Sequence, residues 1–347
     1  MINYDLLLNH NFFLFTNYSI DRYISMLFYI IPIILLFGMV LIYLFWNSPS
    51  STSYQYDHPE CSQHEDYQSV KSEIEIPVYK EQNEKENKDN EKEIPKIIWT
   101  YWDNDSIPEL VKKCMTSWKK YNPTYTIHLL SNSNLSQFLD TDVLSFKLAN
   151  YPQRISDFIR IHVLAKHGGI WADASLLMTA PLDWIHDGSD VVCYHIDQIR
   201  SDKVYPVLEN WFIAAKPNDD FIKKWRDEFV NINQFEGGED YLENVKKRGT
   251  NLDTVFCTPY LSMHTAAQFV LQKIGTTSKM NVMDAREGPY RHLRFNTNPL
   301  SFEQGLDNLC HDAPPPIIKF RGIDRHFMNE NPEKTECVIS FIQKIIS

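Results

Sequence analysis

The sequence predicts an α/β domain on a mainly parallel sheet, preceded by one membrane helix and a polar stalk. Three observations carry this reading. Apolar strand-like runs alternate with helix-like runs from residue 94 onward. Residues 24–46 contain no charged side chain. Residues 80–93 are charged at 10 of 14 positions, a composition that buries too little apolar surface to offset chain ordering. The predicted segments are a short cytoplasmic tail at 1–23, a transmembrane signal anchor at 24–46, a flexible stalk at 47–93 and a folded domain at 94–347.

As a helix the anchor would run about 35 Å, enough for a hydrocarbon core of about 30 Å. A cleaved signal has an apolar run of only about 7–15 residues and a small-residue cleavage site. This run is longer and ends in Leu44, Phe45 and Trp46. Tyr23, Tyr43 and Trp46 suit the membrane interfaces, and a transmembrane helix tolerates Pro32. Arg22 precedes the run, and no Lys or Arg occurs from 47 to 70. The positive-inside rule therefore puts the N-terminus in the cytoplasm. The expectation is a single-pass type II protein of the lipid bilayer with a lumenal domain, in the Golgi or endoplasmic reticulum of a eukaryotic host.

Charge narrows the partners. The chain of 347 residues carries a net −11. Residues 47–93 hold 12 acids against 5 bases, whereas 94–347 hold 31 against 28. A nearly neutral domain offers no basic stripe to a phosphate backbone, so general nucleic-acid binding is excluded. The six cysteines (Cys61, Cys114, Cys193, Cys257, Cys310 and Cys337) show no metal spacing. A lumenal domain permits disulfides, whose pairing the spacing leaves open. Sequons at Asn104 and Asn134 fit the same route. Oligomeric state leaves no mark in the sequence.

The elements follow in order. Residues 94–102 read as a buried strand. Ser106, Pro108 and Glu109 resemble a capping box, followed by a helix to about Tyr121, stopped by Asn122 and Pro123. A strand at 125–130 and a short helix at 134–140 follow. Pro152 opens a helix that Gly168 and Gly169 end. Strands are predicted at 170–173, 189–194, 211–215 and 316–320. Helices are predicted at 219–231, at 259–274 with Thr258 as cap, and from 333.

Residues 154–175 carry the chemistry. Ile155, Phe158, Ile159 and Val163 give the helix a packing face. Asp157 and Arg160, three residues apart, share another side next to Ser156. Two glycines then turn the chain into a strand that ends at Asp173. Ligands of open α/β sheets sit beyond the carboxyl ends of strands, which is where Asp173 falls. Seen alone, each feature is ordinary: a helix salt bridge and a turn carboxylate. Their joint order is not. His162, His167, His195 and His264 read as structural, and no P-loop, dinucleotide fingerprint or nucleophile elbow is present.

At these residues the sequence resembles the capsular polysaccharide synthesis proteins related to DXD-containing glycosyltransferase family 32. The resemblance is carried by 94–99 (Ile-Pro-Lys-Ile-Ile-Trp), 156–160 (Ser-Asp-Phe-Ile-Arg), 168–175 (Gly-Gly-Ile-Trp-Ala-Asp-Ala-Ser), 210–217 and 317–320. It implies a GT-A-like fold, a Rossmann-like mixed sheet flanked by helices. It also implies a UDP- or GDP-sugar donor, a glycan, glycolipid or glycoprotein acceptor, retention of configuration, and Mn2+ or Mg2+.

Roles carried over from that family are these. Trp99, Tyr101 or Trp102 would stack on the base. Ser156, Asp157 and Arg160 would hold the donor sugar and diphosphate. Asp173 is the first acid of the motif, and Asn210 lies near the transferred sugar. The metal set would be Asp173, Ser175 and His326, with Lys319 and Arg321 as rivals to His326 for the diphosphate. Ser175 stands where a full motif has its second acid, and a hydroxyl is the weaker ligand. A catalytically inactive sugar-binding or partner subunit is therefore the alternative. Asp173→Asn is expected to abolish transfer and to leave the fold intact.

Overall fold

The computed structural model describes residues 93–104, 106–140, 152–195, 205–252, 260–293 and 302–347. The predicted anchor at 24–46 lies outside these residues, as does the stalk apart from Glu93. Among the described residues no helix is long and apolar enough to cross a membrane.

The domain opens with β1 (Ile97–Tyr101), α1 (Glu109–Tyr121) and β2 (Thr126–Leu130). The predicted capping box at Ser106 does not form. Pro108 keeps an extended ψ of 147° and gives no side-chain cap. A residue before proline avoids the helical region, so Ile107 cannot begin the helix. The Ser106 amide instead donates to Asn104 Oδ1 at 2.9 Å. Over 134–140 only a 3-10 turn forms, at Leu135–Gln137.

Next come α2 (Pro152–His167), β3 (Gly169–Ala172), β4 (Leu176–Met178), β5 (Val191–His195) and β6 (Leu208–Ala215). The helices α3 (Asp220–Val230), α4 (Gly238–Lys247) and α5 (Ser262–Phe269) follow. The last continues as a π-helical turn to Ile274. Its predicted start at Thr258 and Pro259 lies outside the described residues. The chain then forms β7 (Met280–Asp284), α6 (Phe302–His311), β8 (Ile317–Lys319), α7 (Gly322–Glu330) and α8 (Glu336–Ile346).

Six strands make one sheet in the order β2-β1-β3-β6-β5-β7. The predicted mainly parallel sheet holds with one exception. β6 runs antiparallel to both β3 and β5, while the β1–β2, β1–β3 and β5–β7 pairs are parallel. The amino end of β6 therefore lies beside the carboxyl end of β3. Successive side chains alternate between two cores, as strand geometry requires. Trp99, Trp171 and Ile213 pack with α2, α3 and α5 on one face. Ile98, Ile170 and Phe212 pack on the other with Trp118 of α1.

β4 pairs antiparallel with β8 in a separate two-stranded sheet, with Leu176 opposite Lys319. α1 holds β4 down. The Trp118 indole N–H donates to the Leu176 carbonyl at 2.6 Å, and the Met178 amide donates to Ser117 Oγ at 2.9 Å. A disulfide joins Cys310 of α6 to Cys337 beside it on α8. Cys114 and Cys193 are buried free thiols.

The turn from α2 into β3 demands glycine twice. Gly168 has φ +64°, and a Cβ there would meet Pro217 N at 2.5 Å. Gly169 has φ +91°, and a Cβ would meet the Ile97 carbonyl oxygen at 2.8 Å. Both contacts are with backbone, which cannot swing aside. Gly169→Ala is expected to cost about 2–3 kcal/mol, from the left-handed conformation plus the clash. Thermal unfolding of the full chain checks this; an unchanged midpoint would contradict it.

Candidate functional site

The site forms where three chain segments reach the carboxyl edge of β3. Asp173 follows the last residue of β3, and its amide donates to the Trp211 carbonyl of β6 at 2.9 Å. Because β6 opposes β3, Asn210 arrives at the same edge. α2 runs back from that edge before β3 begins, so Ser156 and Asp157 in its first half, and Arg160 at its middle, reach there too. The turn after Asp173 leads through Ser175 into β4, and the β4–β8 pairing delivers Lys319.

These residues make one continuous charged network. Arg160 is its centre. Nη1 donates to Asp157 Oδ1 at 2.6 Å and Nη2 to Asp173 Oδ1 at 3.0 Å. Nη2 also lies 3.5 Å from Ser156 Oγ. Its guanidinium carbon stands 4.9 Å from the centre of the Trp171 ring, a cation–π distance. Asn210 Nδ2 donates to Asp157 Oδ1 at 2.9 Å, and Trp171 Nε1 donates to Asp173 Oδ1 at 3.0 Å. Lys319 Nζ donates to Asp173 Oδ2 at 2.6 Å and to Ser175 Oγ at 3.2 Å. Arg160 Nε and Trp211 Nε1 are buried and have no partner among the described residues.

Burial sets the electrostatics. It lifts the Asp157 carboxyl above the usual carboxylate range, although Arg160 pulls the other way. It also opposes ionisation of Asp173, but Lys319 and then Arg160 outweigh it and hold that carboxyl below the usual range. Asp173 is thus an anion clamped between two cations. Its side chain is 27 % exposed, against 4 % for Arg160 and 9 % for Lys319, so the network is open to solvent chiefly at that carboxylate.

The structure brings together seven of the residues singled out from sequence: Ser156, Asp157, Arg160, Asp173, Ser175, Asn210 and Lys319, the last a rival to His326. It does not bring in Trp99, Tyr101, Trp102 or His326. Trp99 is buried at 2 % exposure; its ring stacks on His128 at 4.6 Å and its indole N–H donates to the Gly168 carbonyl. That ring belongs to the core and offers no face to a base. Tyr101 is buried and donates to Asn132 Oδ1 at 3.0 Å, and Trp102 donates to the Ser106 carbonyl at 3.3 Å. His326 lies on the exposed side of α7 and pairs with Glu330 at 3.2 Å. The residue that reaches Asp173 from the C-terminal part is Lys319. Its sequence signal is a lone charge closing the apolar run 316–318.

A divalent ion was expected at Asp173, Ser175 and His326, and the donor set does not fit one. Both Asp173 oxygens are engaged by cations or an indole N–H. The Lys319 ammonium stands between Asp173 Oδ2 and Ser175 Oγ. An ion bound at 2.0–2.1 Å from Oδ2, the Mg2+ distance, would lie within about 4.7 Å of that ammonium. His326 offers its ring elsewhere. A second group, Asp307, His311 and Cys337, has ligand atoms within 4.8 Å of one another. There the Cys337 sulfur is committed to the disulfide.

A mixed sheet that carries two carboxylates and two cations in one bonded network at its strand ends defines an α/β protein with a buried polar centre at the carboxyl edge of β3. More particularly, residues 45–238 match the capsular polysaccharide synthesis protein family, and the chain belongs to it. The O-glycosyltransferase braB of Annulohypoxylon truncatum is 28 % identical over 157 residues, covering 40 % of this chain and 37 % of that protein. Inositol phosphoceramide mannosyltransferase 3 of Schizosaccharomyces pombe is 32 % identical over 94 residues, 26 % of each chain. The match thus spans well under half the length of these curated relatives. Among solved structures, the PaToxG glycosyltransferase aligns over 53 % of this chain and 71 % of its own, with TM-score 0.34 and 18 % identity.

Proposed function

We propose that this chain is a membrane-anchored glycosyltransferase of GT-A type that moves a sugar from a nucleotide-sugar donor to a glycan, glycolipid or glycoprotein acceptor. One observation carries the reading: Asp157, Arg160, Asp173 and Lys319 converge at the carboxyl edge of β3. Family membership and relatives that are named glycosyltransferases support it. In the reaction the bond from the sugar C1 to the diphosphate oxygen breaks and leaves its electron pair on the diphosphate. The acceptor hydroxyl oxygen bonds to C1, and its proton passes to the departing diphosphate. Arg160 and Lys319 face the charge that develops on that group, the largest electrostatic demand of the step. Asp157, oriented by Arg160 and Asn210, accepts hydrogen bonds from sugar hydroxyls.

The location we propose is the lumenal side of a secretory membrane. The uncharged run at 24–46 and the Cys310–Cys337 disulfide, a bond of oxidising compartments, both support it. A second reading, a sugar-binding subunit without activity, is favoured by Ser175 and by the full engagement of Asp173 within the protein. A panel of UDP- and GDP-sugars offered to the detergent-solubilised full chain separates the two. Release of nucleoside diphosphate from one donor is the expected result. Binding without release would favour the inactive subunit, and neither would overturn both.

A further inference from the structure

We infer that the Lys319 ammonium does the work of a divalent metal at this site, so that donor binding and transfer need no metal ion. The inference rests on the glycosyltransferase reading and names what neutralises the diphosphate. Three features lead to it. Lys319 Nζ sits 2.6 Å from Asp173 Oδ2 and 3.2 Å from Ser175 Oγ, and so bridges the two motif positions that a metal would bridge. The residue at 175 is a hydroxyl, which a fixed ammonium satisfies by one hydrogen bond and which leaves no excess anion to attract a dication. Lys319 is also fixed from three sides. Its backbone amide donates to the Pro289 carbonyl at 3.1 Å, its strand pairs with Leu176, and its ammonium lies 5.9 Å from the Trp211 ring centre.

The charge count agrees. Asp157 and Asp173 are matched by Arg160 and Lys319, and among the described residues no further carboxylate bonds to this network. A dication added there would face two fixed cations at close range. A diphosphate arriving at the exposed Asp173 side meets the same two cations already oriented, which spares reorganisation in the reacting complex. Lysine is a compact point charge with three donors, so two can stay on Asp173 and Ser175 while the third turns to a phosphate oxygen.

The test is binding of UDP, GDP, ADP and CMP to the detergent-solubilised full chain, by calorimetry, in excess chelator and again in Mn2+. One nucleotide is expected to bind with a Kd that agrees within about threefold between the two conditions. Lys319→Met should weaken its binding in chelator by more than tenfold, whereas Lys319→Arg should retain most of it. The double variant Lys319→Met with Ser175→Asp should regain affinity only when Mn2+ is present. The comparison on the unmodified chain needs no variant to fold. Binding that vanishes in chelator and returns with Mn2+ would overturn the inference while leaving the glycosyltransferase reading standing. Failure of every nucleotide in both conditions, in a chain whose unfolding is cooperative, would overturn that reading and the inference with it.

Discussion

Asp173→Asn is expected to lower sugar transfer by about 100- to 1,000-fold, the effect of losing about 3–4 kcal/mol of transition-state stabilisation at a key charged contact. It is also expected to destabilise the fold. A strand-end carboxylate facing a cleft would contribute little to packing, and the sequence gives no reason to expect more. The structure corrects that view, because Asp173 is the counter-ion of two nearly buried cations. Removing one partner of a buried pair costs about 3–5 kcal/mol. The lower end applies here, because Asn still accepts one hydrogen bond and the site is partly open. The unfolding midpoint should fall by about 6–12 °C for a domain of this size. Activity and unfolding measured on the same samples decide the matter. A stable variant with near-normal transfer would remove Asp173 from the mechanism. The pH behaviour has a definite sign. A carboxyl held below its unfolded value, about 3.9, stabilises the protein above that value and loses its contribution as the pH falls through the lower folded value. Its share of acid lability should therefore appear only below about pH 4 and be absent from Asp173→Asn.

Removing the disulfide is expected to cost about 3–4 kcal/mol. The bond closes a loop with a sequence separation of 27, for which loop-closure entropy gives that range at 25 °C. Native interactions around it are modest: Cys310 lies at the edge of a cluster formed by Leu306, Leu309, Phe320, Val338 and Ile342. Cys310→Ser and Cys337→Ser should lower the unfolding midpoint equally, and the double variant should lower it no further. The loop encloses β8, so Lys319 is held by the same bond. Reduction should accordingly weaken nucleotide binding before global unfolding, which calorimetry in dithiothreitol would detect. Equal midpoints for reduced and oxidised protein would contradict the role assigned to the bond.

Legibility in the sequence followed the range of the signal. α2 and β3 could be read because Pro152 and the Gly168-Gly169 pair are local punctuation, and the structure agrees with them nearly residue for residue. Asp157 and Arg160 could be paired because three-residue spacing on a helix is itself a contact rule. The capping box at Ser106 failed because a proline one residue inside it overrides the pattern. Trp99 misled for a different reason. An aromatic near a strand end looks like a platform, but β1 lies between β2 and β3 and is covered on both faces, which buries every ring it carries. β4 has three residues and no period to detect, whereas the apolar run within 316–320 does mark β8. Their partnership joins residues about 140 positions apart, so the meeting of Lys319 with Asp173 leaves no local trace. β7, half-buried throughout at the sheet edge, lacks the alternation that marks a strand.

The return of β8 to β4 also sets the order in which the site can be completed as the chain is made. Arg160 and Asp173 emerge from the ribosome together, separated by 13 positions. Lys319 follows 146 positions after Asp173, which at about 5–20 residues per second is roughly 7–30 s of synthesis. During that interval the nascent domain carries the motif turn with one of its two cations missing and with β4 unpaired on that edge. Nucleotide-binding competence should thus appear late and abruptly, when β8 docks, and a chain released before residue 319 should contain most of the sheet but not the cation that completes its site.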